Sequence, residues 1–85
     1  MSTLETAAEL IAGERREAYG EPDAHFAAVA VIWSVLLRRD VPARMVPLMM
    51  AALKMARLSH DLDSEDGWVD LAGYAGLGGD YDDHD

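Results

Sequence analysis

The chain has 85 residues, 51% of them hydrophobic, no cysteine and a net charge of −9. That length supports one small core and excludes a second domain or a large enzyme fold. The lack of cysteine excludes disulfides and thiolate metal sites and fits a reducing cytoplasm. Apolar stretches are short and broken by charge, and the N-terminal MSTLETAAEL has no basic run leading into an apolar one, so neither a membrane span nor a signal peptide is expected.

The charge is segregated. Residues 1–23 carry six acids and two bases, residues 24–60 one acid and five bases, and residues 61–85 nine acids and no base. An acidic protein of this kind is a poor match for nucleic acid or an anionic membrane. Its basic middle serves either packing against acidic neighbours or an anion such as phosphate.

In chain order, Ser2 and Glu5 have capping-box spacing, which predicts a first helix from near Thr3 to about Ala18. Leu4, Ala8, Ile11 and Ala18 form its apolar face, and Gly20 ends it. Glu21-Pro22-Asp23 is a turn, with Asp23 the expected N-cap of a second helix from near Ala24. Phe26, Val29, Trp33, Leu36 and Leu37 follow helical spacing there, and only His25 and Ser34 interrupt the apolar character of residues 24–37. So apolar a helix is expected to be buried on more than one side, and the excess of apolar circumference points to a homo-oligomer. Arg38 and Arg39 suit the helix end, and Asp40 is the expected cap of a third helical segment ahead of Pro42. Pro47 falls inside that pattern and predicts a kink or a short first turn. Leu48, Met49, Ala52, Met55 and Ala56 are the expected core stripe. After a loop at Asp61-Leu62-Asp63-Ser64, Ser64 caps a fourth helix with Trp68, Leu71, Ala72 and Ala75 as its apolar face, ended by Gly76, Gly78 and Gly79. The result is an all-α, compact four-helix domain over residues 1–79, followed by an acidic disordered tail at 80–85.

Lys54 and Arg57 lie three apart on one helix face, and a guanidinium beside an ammonium suits phosphate oxygens. The structural alternative is that they pair with Asp66 and Asp70 of the next helix. Asp63, Asp66 and Asp70 have spacing that could hold a divalent metal. Helix N-terminal charge explains Glu65 and Asp66 but not Asp70. Arg16, Tyr19 and Gly20 could flank a base or sugar phosphate, although a tyrosine packed over a glycine cap is the commoner arrangement. Glu14 and Glu17 form a weak Glu-x-x-Glu signal. His25, His60 and His84 share no ligand spacing, and neither serine-nucleophile motifs nor phosphate-binding glycine loops are present.

Arg16-Glu17-Ala18-Tyr19-Gly20, Phe26, Trp33, Leu48-Met49-Met50, Lys54-Met55-Ala56-Arg57 and Asp66-Gly67-Trp68-Val69-Asp70-Leu71-Ala72-Gly73-Tyr74 occur in an order that resembles a small phage and prophage helical family of unassigned activity. That family is similar to phage nucleotide-modification-associated domains and, more distantly, to the all-α MazG-like nucleoside triphosphate pyrophosphatases. The resemblance covers residues 4–78 and implies a nucleotide ligand and a cytoplasmic setting, that of the host if the chain is phage-encoded. MazG-like enzymes hold magnesium with paired acidic motifs on two helices, whereas residues 24–60 here contain one acid, Asp40.

The leading expectation is therefore a protein that holds a phosphorylated nucleotide without turnover, acting as a sponge for a host immune nucleotide signal. Arg16, Tyr19, Lys54, Arg57, Asp70 and Tyr74 are its ligand-binding residues, with no catalytic residue, metal or cofactor, and with no nucleic-acid or membrane partner. The alternatives are a magnesium-dependent MazG-like pyrophosphatase using Asp66 and Asp70, and an acidic adapter for basic protein partners.

Overall fold

The computed structural model describes residues 2–13 and 21–81. Four helices are found among them: α1 (Thr3–Ala12), α2 (Pro22–Leu37), α3 (Met45–Leu58) and α4 (Glu65–Gly79), with no strand. The all-α, four-helix reading thus holds for the described residues. None of the helices is long and apolar enough to cross a membrane.

The first capping box forms as expected: Ser2 Oγ accepts from the Glu5 N–H at 3.1 Å, and the Ser2 N–H donates to Glu5 Oε1 at 3.4 Å. The helix ends earlier than its apolar spacing suggested, at Ala12 with Gly13 as its cap. The expected stretch up to Ala18 and Gly20 lies outside the described residues. Ala7 is the buried residue, with Leu10 and Ile11 half-buried, while Leu4 and Ala8 are exposed. The inward stripe is shifted by one position from the expected one, and Ile11 is common to both.

Helix α2 begins at Pro22, with Glu21 rather than Asp23 as its N-cap and no side-chain cap bond. Proline fits the first helical position because its φ is already helical and no N–H is needed there. The far end closes on Arg38, whose φ of 54° and ψ of 41° are left-handed. Ser34 fixes the exit: its hydroxyl donates to the Ala30 carbonyl at 2.7 Å and accepts from the Val41 N–H at 2.9 Å.

Asp40 does not cap the third helix, which starts at Met45 with Arg44 in the cap position. This resolves the problem of Pro47. It is the third residue of the helix, within the first turn, where its missing N–H leaves no bond unmade. The expected core stripe of α3 is a misreading, since Leu48, Met49, Ala52, Met55 and Ala56 are all exposed. The inward line is Pro47, Ala51 and Leu58, with Lys54 half-buried among them. Two cues misled the periodicity: α3 is apolar around most of its circumference, and its one lysine faces a neighbouring helix.

Helix α4 has the predicted cap, Ser64 Oγ accepting from the Gly67 N–H at 3.1 Å. It does not stop at Gly76 but runs through Gly76 and Gly78 to Gly79. Val69 is its buried residue, whereas Ala75 is exposed. Trp68 is 43% exposed, its indole N–H donating to the Leu62 carbonyl at 2.8 Å and closing the preceding loop.

The glycines of α4 provide close approach. A Cβ at Gly67 would stand 2.7 Å from Leu58 Cδ2, and one at Gly78 would stand 3.4 Å from the Pro47 ring, so α3 lies against both ends of α4. Gly73 and Gly76 face Ile11 of α1 at 4.0 and 3.8 Å by the same measure. Helix α4 is therefore the central element, with α3 and α1 packed against it. By contrast, α2 is held mainly by one cluster, in which buried Phe26, Ala30 and Val46 are surrounded by Val29, Trp33, Ala43, Met50, Tyr74, Leu77 and Tyr81. Tyr81 belongs to the stretch expected to be a disordered tail and instead packs on this cluster; residues 82–85 lie outside the described part.

Candidate functional site

Of the six ligand-binding residues expected from sequence, Arg16 and Tyr19 lie outside the described residues. The other four are on α3 and α4, the two helices most extensively packed together. Lys54 Nζ is 3.2 Å from Asp70 Oδ2, and the two side chains are only 15% and 17% exposed. The structural alternative for Lys54 is therefore realised, and it accounts for the carboxylate that the helix dipole did not. Arg57 and Asp66 are both exposed, one turn beyond the pair on their respective helices.

Tyr74 follows Asp70 by four residues and so lies on the same side of α4. Its ring packs against Phe26, with centroids 6.5 Å apart and planes inclined at 46°. It also lines an open groove of about 490 Å³ whose walls are Pro42, Met45, Pro47, Leu48 and Ala51 on one side and Tyr74, Ala75, Gly78 and Gly79 on the other. The groove follows from local sequence: Pro47 lies in the first turn of α3, and Gly78 and Gly79 opposite carry no side chains to fill the space. One turn of helix separates Ala51 from Lys54 and Tyr74 from Asp70, so the ion pair lies beyond the inner end of the groove.

Arg44 stands at the outer end. Its Nε–H donates to the Gly78 carbonyl at 3.3 Å, and the exposed guanidinium carries four further N–H donors at the rim of an otherwise apolar groove. Sequence reasoning missed this residue. The signal available was a lone cation in the mainly apolar stretch from Val41 to Leu53.

Asp63, Asp66 and Asp70, whose spacing could hold a divalent metal, form no such cluster among the described residues, where no three histidine or carboxylate side chains converge. Asp61 accepts instead from the Asp63 N–H at 3.1 Å in the loop before α4. Glu14 and Glu17 lie outside the described residues, as does His84.

The described residues thus form an all-helical domain with an apolar groove, a cation at its rim and an ion pair beyond its inner end. The chain belongs to the family described as "Domain of unknown function (DUF6378)", whose model matches residues 2–82. It is similar to the Gene 55 protein of Mycobacterium phage D29, with 37% identity over 75 residues, which is 88% of this chain and 50% of that protein. Similarity to the Gene 55 protein of Mycobacterium phage L5 is also 37%, over 78 residues, 91% of this chain and 50% of that protein. The chain thus spans about half the length of these curated relatives. No solved structure matches it.

Proposed function

We propose that this protein binds a phosphorylated nucleotide and holds it without hydrolysis. The observation that carries the reading is the groove between α3 and α4, apolar along its walls, bordered by Tyr74 and ended by the exposed Arg44 guanidinium. Its volume is in the usual range for small-molecule sites, which combine apolar walls with a few placed polar groups. The base and sugar lie along the groove, and the phosphate meets Arg44, whose planar fork matches phosphate oxygens. Arg57, about 20 Å along α3 from Arg44 at 1.5 Å per residue, does not share that phosphate.

Lys54 has a different role from the phosphate contact expected of it. Paired with Asp70 at 3.2 Å, it neutralises the carboxylate that a magnesium-dependent pyrophosphatase would require. This favours binding over turnover, even though the more distant resemblance is to MazG-like enzymes. The phage origin of the Gene 55 relatives supports a setting in the cytoplasm of an infected cell, where such a protein would act as a sponge for a host nucleotide signal.

The test incubates the chain and magnesium with nucleoside triphosphates, cyclic nucleotides and ADP-ribose isomers, then chromatographs the free fraction before and after heat denaturation. A nucleotide that is depleted and returns intact supports the reading. Conversion to monophosphate and pyrophosphate, or an unchanged panel, overturns it. Arg44→Glu is expected to weaken binding about tenfold or more, the usual loss when a charged hydrogen bond is removed.

A further inference from the structure

Helix α2 carries an ordered pattern on the side turned away from its own core. Glu21, Ala24, Ala28, Val31, Val35 and Arg38 follow one another at intervals of three and four residues, the spacing of a coiled-coil seam, and all six are exposed. Ile32 and Leu36 flank the seam and are each more than half exposed. The pattern is directional. An acid opens it, two alanines follow, then two valines, and a base closes it.

We infer that this face pairs with the same face of a second copy, the two α2 helices running antiparallel about a two-fold axis. A two-fold interface must be complementary to itself, and this seam has that property in one direction only. Antiparallel pairing sets Ala24 against Val35 of the second copy and Ala28 against Val31, so each small residue meets a large one. The same register brings Glu21 of each chain to Arg38 of the other, at both ends of the interface, and opposes the two helix dipoles favourably. A parallel pair would instead align Glu21 with Glu21 and Arg38 with Arg38, placing like charges together. The second copy is thus selected by charge and by side-chain size, not by apolarity alone. This inference is independent of the nucleotide reading, since the groove is formed by α3, α4 and the segment before α3.

Sedimentation velocity of the 85-residue chain over roughly 1–100 µM tests it, because a contact made by one helix face per chain belongs to the weaker end of interface sizes. A dimer is expected, and a monomer throughout overturns the proposal. Val31→Glu, at an exposed position beside the two-fold axis, is expected to raise the dimer Kd about a hundredfold while circular dichroism stays helical. Glu21→Arg and Arg38→Glu should each weaken self-association about tenfold, and mixing the two variants should restore dimers as a heterodimer. Dimers indifferent to these changes, or single variants that mixing does not rescue, overturn the antiparallel pairing.

Discussion

Helices α4 and α2 have nearly the same length, 15 and 16 residues, but opposite relations to the core. Helix α4 contains five glycines and three acids and is packed by α1 and α3. Helix α2 contains no charge between Asp23 and Arg38, yet Val31, Ile32, Val35, Leu36 and Leu37 are all more than half exposed. Burial in this molecule follows shape more closely than hydropathy. The glycines let two helices approach α4, while the larger side chains of α2 have a partner on one face only.

The largest expected effect comes from the one anchor of α2. Phe26→Ala removes the main buried side chain between α2 and the rest, and urea unfolding should show a loss of about 3–5 kcal/mol. If stability hardly changes, α2 is held by something other than that cluster. The packing of α4 is tested next by Gly67→Ala, whose methyl would meet Leu58 Cδ2 at 2.7 Å. Overpacking should outweigh the gain in helix propensity and cost about 1–2 kcal/mol. Lys54→Met should cost roughly the same, about 1–2 kcal/mol, because it removes the ammonium that stands 3.2 Å from the half-buried Asp70 carboxylate. The double variant Lys54→Met with Asp70→Leu should be more stable than that single variant, which a double-mutant cycle reads directly. The smallest effect has the opposite sign. Gly79→Ala meets nothing within 4 Å and should stabilise by up to about 0.5–1 kcal/mol, the propensity difference without a clash.

These contrasts also explain what the sequence makes legible. Ser2 with Glu5, and Ser64 ahead of Gly67, announce two helix starts, because capping depends on residues close in the chain. Phe26, Val29 and Trp33 mark the inner face of α2 correctly, but Leu36 and Leu37 are exposed, and the helix is covered on one side instead of the several that its apolar character suggested. The α3 stripe is not recoverable from spacing: its inward line includes a proline and a lysine, and the lysine is explained only by Asp70 sixteen residues later. The glycines of α4 read as terminators for a similar reason. A glycine that ends a helix and one that admits a neighbour look alike until the neighbour is placed. Lys54 and Asp70 are legible as opposite charges on neighbouring helices, and they do pair; the groove also needs Arg44, and no local pattern links Arg44 to Gly78.

The prolines before and within α3 restrict how two copies of the chain can be combined. Exchange of helices between subunits usually proceeds by straightening a linker until the flanking helices merge into one long rod. That route is closed here. For α2 to continue into α3, residues 38–44 would become helix interior, and the Pro47 ring would then collide with the carbonyl of Ala43 while Pro42 withheld an N–H from the turn before it. The corner is chemically committed, and two copies of the chain cannot trade α2 by merging it with α3 into one straight rod.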